Sequence, residues 1–151
     1  MISKHLDLNE AELTVRHGDD VEFIKVNKID LINKIKDAVS SLLEKGNNTI
    51  AIVCKTEELS LKLNEALKKV GLDIHNLTLN DDVTDEKFKI CTVPCSLVKG
   101  LEFDGVIVAD ASEDNYSSKD KLDMKLLYVA ITRALHNVVI LYDEEITDCL
   151  K

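Results

Sequence analysis

The sequence has few of the cysteines that cross-link small secreted domains and few of the prolines and glycines that form their turns. It contains one proline, five glycines, four cysteines and no tryptophan in 151 residues. The cysteines show no CxxC spacing, and no histidine stands at a zinc-finger interval from them. Neither a disulfide framework nor a metal site is therefore indicated, and reduced thiols in or near core strands are expected.

Basic residues are also scarce, because 19 lysines and arginines stand against 28 acidic residues and give a net charge of −9. A domain that grips nucleic acid through phosphates alone carries a basic surface, so any such contact here should be small and local. No apolar run approaches the ~20 residues that span a bilayer, and the N-terminus lacks an apolar signal core. The sequence predicts a soluble, cytoplasmic protein without membrane contacts.

The apolar content of 45% can build one substantial core, and short apolar runs alternate with helical patterns. Strands are predicted over Thr49 to Cys54, Phe88 to Val93, Gly105 to Asp110, Asn137 to Tyr142, and Val21 to Val26. Helices are predicted over Ile29 to Glu44, from the cap Thr56 to Val70, and from about Lys119 to His136. This alternation predicts an α/β fold with a mainly parallel sheet between helices. Residues 1–14 are interpreted as a tail or fragment edge, and residues 15–151 as one domain.

A phosphate-binding loop is missing. Such a loop needs glycines, a lysine for the phosphates and a serine or threonine for magnesium. Gly100 to Gly105 fits the glycine spacing, but Val106 and Ile107 stand where those two side chains are required. Asp110 imitates a magnesium-binding aspartate after an apolar strand, yet an aspartate there is usually a loop cap, and we assign it no magnesium role. The isolated chain is not expected to hydrolyse ATP.

Two strings in fixed order carry the most information: KGLEFDGVIVAD, from Lys99 to Asp110, and LLYVAITRAL, from Leu126 to Leu135. The pair resembles motifs V and VI in the second RecA-like motor domain of UvrD/Rep-type superfamily 1 helicases. The resemblance implies a three-layer RecA-like P-loop NTPase-type domain that lacks the Walker A loop. It also implies a full-length protein that uses ATP and Mg²⁺, with Mg²⁺ held by a first RecA-like domain, and that acts on DNA.

The resemblance also assigns roles to residues. Arg133 matches the motif VI arginine that reaches the terminal phosphate of the nucleotide, and is the predicted catalytic residue. Spacing alone instead favours an ordinary surface arginine near a helix C-terminus, where the helix dipole stabilises its charge. Glu102 matches the glutamate beside the nucleotide, and Gly100 would allow the close turn. The residues predicted to contact nucleic acid or to couple it to the nucleotide are Lys55, Ser96, Lys99, Tyr128 and Thr132.

The predicted third helix has two faces. A polar stripe is expected to lie beside Arg133, formed by Lys125, Tyr128, Thr132 and His136. The apolar residues expected to dock the helix on the sheet are Leu122, Leu126, Leu127, Val129, Ala130, Ile131 and Ala134.

Three departures from the family pattern affect this interpretation. The segment from Ile50 to Leu67 is similar to a strand–loop–helix of the same family, and in it Lys55 takes the position of an arginine, which keeps the charge but loses the bidentate fork. Motif IV is absent, so either the chain is a fragment that starts after it or the site is incomplete. Val93 to Val98 stands where UvrD and Rep usually carry a Thr-x-His string. The resulting Pro-x-Ser-x-x-Lys-Gly-Leu-Glu-Phe-Asp form, with the Tyr-containing acidic loop Glu113 to Tyr116, looks more like the HelD group, helicase-like ATPases that associate with RNA polymerase.

Two other functions remain open. The missing motifs suit a non-enzymatic protein-interaction module that keeps a degenerate helicase fold. A response-regulator-like receiver is disfavoured, because no acidic pair follows an early strand to join Asp110 in holding magnesium.

Overall fold

The computed structural model describes residues 21–78, 89–112, 115–143 and 146. Its strands are β1 Val21–Lys25, β2 Ile50–Cys54, β3 His75–Asn76, β4 Ile90–Pro94, β5 Phe103–Val108 and β6 Ala134–Tyr142. Its helices are α1 Leu31–Glu44, α2 Glu57–Lys69 and α3 Lys121–Ile131, with short 3-10 helices at Lys28–Asp30 and Cys95–Leu97. The predicted tail 1–14, Phe88, Glu113 and Cys149 lie outside the described residues.

The six strands form one sheet in the order β1-β6-β5-β2-β4-β3, and every neighbouring pair is parallel. Strand β2 is central and buried along its whole length, as its continuous apolar sequence predicts. The residues of α1 and α2 that pack on one face include Ile35, Leu42 and Leu67. Those of α3 that pack on the other face include Met124, Leu127 and Ile131. This arrangement confirms the predicted three-layer α/β fold with a parallel sheet.

Helix α1 ends at Glu44, as predicted, and α2 begins and ends within one residue of its predicted bounds. The Leu59 N–H donates to the side chain of the N-cap Thr56 at 3.2 Å. Gly71 follows α2 with φ +91°, and the Leu72 N–H returns to the Leu67 carbonyl oxygen at 3.1 Å. Such a C-terminal turn needs a left-handed backbone, which glycine adopts without a steric penalty.

The third helix is shorter than predicted, because it ends at Ile131 rather than His136. Residues from Ala134 onward leave the helical pattern to pair with β5, and sheet hydrogen bonds outweigh the helical periodicity there. The predicted docking role of Leu122 is wrong, since that side chain is 63% exposed. Met124 is fully buried instead, and Thr132, predicted on the polar stripe, is also buried.

The parallel sheet places equivalent strand ends together. We call the side where strands begin the amino edge, and the side where they end the carboxyl edge. The loops before β5 and β6 therefore meet at the amino edge, and those after β2, β4 and β5 meet at the carboxyl edge. Among the described helices, none is both long and apolar enough to cross a membrane.

Candidate functional site

The loops that carry the two sequence motifs meet at the amino edge. The Phe103 N–H donates to the Arg133 carbonyl oxygen at 3.0 Å, and Phe103 is in register with Ala134. Glu102 directly precedes Phe103, so Glu102 and Arg133 stand at the starts of adjacent strands. Two segments separated by a whole helix in sequence are thus joined by one backbone hydrogen bond.

Arg133 lies in the turn between α3 and β6 and is partly exposed. Its Nε donates to the Val129 carbonyl oxygen at 3.1 Å, and Nη2 donates to Thr132 Oγ1 at 3.2 Å. Thr132 Oγ1 in turn donates to the Tyr128 and Val129 carbonyl oxygens at 3.0 and 3.1 Å. The last turn of α3 therefore holds the guanidinium, and no carboxylate in the described part of the chain forms an ion pair with it.

The loop before β5 turns sharply at Gly100. Its φ is +85°, a left-handed value, and the Leu101 N–H donates to the Val98 carbonyl oxygen at 3.0 Å. Lys99 and Glu102 on either side of this turn are exposed. The turn therefore presents a cation and a carboxylate to solvent beside Arg133.

Asp104 is a site residue that the sequence reasoning missed. Its Oδ2 accepts from the Asn48 and Thr49 N–H groups at 2.8 and 3.4 Å, and its own N–H donates to Thr49 Oγ1 at 2.8 Å. His136 Nε2 lies 3.8 Å from Asp104 Oδ1. These contacts fasten the start of β5, and with it Glu102, to the turn before β2. In the sequence, this anchoring role was indicated only by the position of Asp104 as the final residue of the KGLEFD motif.

A second group of predicted residues lies at the carboxyl edge. Lys55 Nζ is 2.9 Å from Asp123 Oδ1 and 5.8 Å from the centroid of the Tyr116 ring. The Tyr116 hydroxyl is 3.3 Å from Cys95 Sγ. Ser96, the residue after Cys95, is exposed. We call Lys55, Cys95, Tyr116 and Asp123 the carboxyl-edge cluster.

The predicted residues thus fall into two groups. At the amino edge lie Lys99, Gly100, Glu102, Thr132 and Arg133, with Tyr128 partly buried one turn below. At the carboxyl edge lie Lys55 and Ser96.

Asp110 behaves as the predicted loop cap. Its Oδ1 accepts from the Ser112 N–H at 3.0 Å, and its carbonyl oxygen accepts from Asn115 Nδ2 at 2.9 Å. Across the described ranges, no three histidine, cysteine or acidic side chains are grouped so as to hold a metal ion.

The thiols at the carboxyl edge are buried and protonated. Burial raises the pKa of Cys54 to about 12, with a smaller contribution from the nearby Cys95. Burial likewise raises the pKa of Cys95, and that of Tyr116 well above its usual range. Cys54, Cys91 and Cys95 are all buried and take part in no disulfide within the described residues, which confirms the prediction of thiols in or near core strands for these three.

Comparisons with known proteins agree with this geometry. Residues 89–141, which span both motifs, match the family model of the UvrD-like helicase C-terminal domain. The C-terminal domain of a possible DNA helicase from Lactobacillus plantarum WCFS1 superposes with a TM-score of 0.77 at 25% identity, covering 93% of this chain and 87% of that one. A search of curated protein sequences gave no match.

Two more distant structures share the fold. The C-terminal domain of the DEAD-box protein Dbp5 has a TM-score of 0.60 at 12% identity, covering 86% of this chain and 79% of that one. Escherichia coli SrmB, a DEAD-box protein solved with regulator of ribonuclease activity A, has a TM-score of 0.55 at 12% identity, with coverages of 83% and 79%. The chain thus has the RecA-like fold of helicase C-terminal domains, and its segment 89–141 carries the signature of the UvrD-like type.

Proposed function

We propose that residues 15–151 form the second RecA-like motor domain of an ATP-dependent, UvrD/Rep-like DNA helicase, a cytoplasmic protein. The domain supplies Arg133, Glu102 and Gly100 to an ATP site whose phosphate loop lies on a first RecA-like domain. The observation that carries the proposal is the hydrogen bond from Phe103 to Arg133, because it brings the two family motifs together at one exposed edge. The match of residues 89–141 to the UvrD-like family model supports it.

The arrangement suits phosphoryl transfer at a domain interface. Negative charge on the γ-phosphate is offset by an arginine that a second domain delivers, which links hydrolysis to domain closure. Arg133 fits this role because it is partly exposed and its guanidinium is oriented by two neutral acceptors, the Val129 carbonyl oxygen and Thr132 Oγ1. Mg²⁺ belongs to the first domain in this proposal, because the phosphate loop and its magnesium-binding hydroxyl are assigned to that domain.

DNA is the second partner in the proposal, and the carboxyl edge is where it binds. Lys55 and Ser96 are exposed enough there to reach a backbone phosphate. Lys99 and Thr132 lie with Arg133 at the amino edge, and Tyr128 lies one turn below, so these three residues suit a role in coupling DNA binding to the nucleotide. The net charge of −9 restricts the contact to a few residues.

The test is Arg133→Ala in the polypeptide that joins this chain to its first motor domain. The kcat of ATP hydrolysis should fall on the order of 10³-fold with little change in KM, because the arginine acts on charge that develops in the transition state. Lys125→Ala removes an exposed cation from the same helix and should leave kcat unchanged. An Arg133→Ala polypeptide with normal turnover would contradict the proposal and favour the non-enzymatic interaction module.

A HelD-like ATPase that associates with RNA polymerase is a narrower form of this proposal. The sequence Val93 to Val98, in place of the Thr-x-His string, favours it, and Ser96 is exposed while Pro94 ends a buried strand. Co-purification of RNA polymerase with the native protein would support this form. DNA unwinding without any bound polymerase would support the UvrD-like form.

A further inference from the structure

The ion pair in the carboxyl-edge cluster joins two side chains that are held very differently. The Asp123 side chain is 11% exposed, and its Oδ2 accepts from the Ser117 N–H at 3.1 Å. The helix turn that carries it is capped by Asp120, whose Oδ1 accepts from the Leu122 N–H at 2.9 Å. The backbone therefore fixes the Asp123 carboxylate whether or not Lys55 is present.

Lys55 is the movable partner of the pair. Its side chain is 26% exposed, and it lines a groove of about 410 Å³ between α1 and α2. An ammonium on a flexible four-carbon stem can turn into this groove while the backbone hydrogen bonds of the cluster stay in place. Lys55 can therefore exchange one anionic acceptor for another without unfolding the carboxyl edge.

A phosphodiester oxygen is the natural competitor for the Asp123 carboxylate. Both are anionic acceptors that form charge-assisted hydrogen bonds with an ammonium. When Lys55 turns away, Asp123 keeps its negative charge in a largely buried position without its cationic partner. The free energy lost with that ion pair opposes the exchange. The pair would therefore weaken nucleic-acid binding relative to an unpaired Lys55.

We propose that the Lys55–Asp123 ion pair is an autoinhibitory contact of the nucleic-acid site, in which Asp123 occupies Lys55 until a backbone phosphate displaces it. The inference rests on the proposed function to the extent that Lys55 contacts nucleic acid. It makes the acidic residue, rather than the basic one, the element that sets the affinity. An ion pair with a structural role alone predicts the opposite response to loss of Asp123.

The test measures binding of a fluorescently labelled single-stranded oligonucleotide to this chain by anisotropy at low salt. Asp123→Asn keeps the size of the side chain and an acceptor for the Ser117 N–H but removes the charge, so the Kd should fall about fivefold. Lys55→Gln should raise the Kd about tenfold. A purely structural pair would make both variants bind more weakly.

The control is Glu44→Gln, because Glu44 is the exposed last residue of α1 and does not line the groove. This variant removes the same charge and should leave the Kd unchanged, since α1 ends at the amino edge, away from Lys55. Equal tightening by Glu44→Gln and Asp123→Asn would reduce the effect to net charge and overturn the proposal. Absence of binding by the wild-type chain would overturn it as well.

A second measurement needs no variant. Upon addition of the oligonucleotide to the wild-type chain, the amide resonance of Ser117 should shift, because its acceptor Asp123 loses Lys55. Saturable binding with an unmoved Ser117 resonance would overturn the inference. Both measurements are independent of ATP turnover, so a normal Arg133→Ala enzyme would refute the proposed ATPase role without deciding this one.

Discussion

At the residue scale, the buried thiols at the carboxyl edge make stability depend on alkaline pH. The pKa of Cys54 is raised from 9.0 to about 12 by burial, so the folded chain keeps a proton that the unfolded chain releases first. The contribution of this group is therefore present below about pH 9 and is lost as pH rises toward 12. Cys95 and Tyr116 shift in the same direction.

Urea unfolding of the chain at pH 7, 9 and 10.5 checks this expectation. The free energy of unfolding should fall above about pH 9 by up to ~1.4 kcal/mol per pH unit for each such group. Cys54→Ala should lower the stability at pH 7, because it removes buried volume, but should flatten the alkaline decline. Parallel curves for the variant and the wild type would contradict the role of Cys54.

At the scale of elements, Gly100 and Gly71 form a matched pair of left-handed turns. Their φ values are +85° and +91°, and a Cβ at either position would meet nothing within 4 Å. Replacement by alanine therefore costs only backbone strain, about 1 kcal/mol in each case. Gly71 ends α2, whereas Gly100 leads to Glu102.

Gly100→Ala and Gly71→Ala should thus destabilise the chain equally in urea unfolding. In the polypeptide that contains both motor domains, only Gly100→Ala should lower the kcat of ATP hydrolysis, by about tenfold, because a small displacement of the loop misplaces Glu102. Equal turnover by the two variants would mean that the turn at Gly100 serves folding alone. Unequal stability would show that one turn is strained for another reason.

At the scale of the whole molecule, the acidic balance limits the salt dependence of nucleic-acid binding. The net charge is −9, and Lys55 is the one predicted cationic contact at the carboxyl edge, where nucleic acid is proposed to bind. Each phosphate neutralised on a single strand contributes ~0.7 to the slope of log K against log salt, so the slope should be about −0.7.

Anisotropy titrations between about 50 and 200 mM salt measure this slope. Lys55→Gln should bring the slope close to zero, because the phosphate contact is lost, whereas Lys99→Gln, at the amino edge, should leave the slope unchanged. A wild-type slope steeper than about −4 would reveal a broad basic footprint and contradict a small, local contact.

Much of the fold was accessible from the sequence because its signals are local. Continuous apolar runs identified β2, β4 and β6, and the cap Thr56 and the turn glycine Gly71 marked the ends of α2. The end of α3 was mispredicted, because apolar spacing continues past Ile131 and only pairing with β5 reveals that Ala134 begins a strand. The periodicity of apolar residues shows which side chains of a segment share a face. It does not show which other strand will pair with the backbone of that segment.

The sequence by itself determined the α/β class, the missing phosphate loop and the two motifs. Only the tertiary structure joined Glu102 to Arg133 through Phe103, and only it separated Lys55 and Ser96 onto the opposite edge. The roles of Asp104 and Asp123 could not be predicted from the sequence either, because their partners, the Asn48 amide and the Lys55 ammonium group, are distant in sequence. The parallel sheet determines which of these residues become neighbours, because all its strands begin at one edge and end at the other.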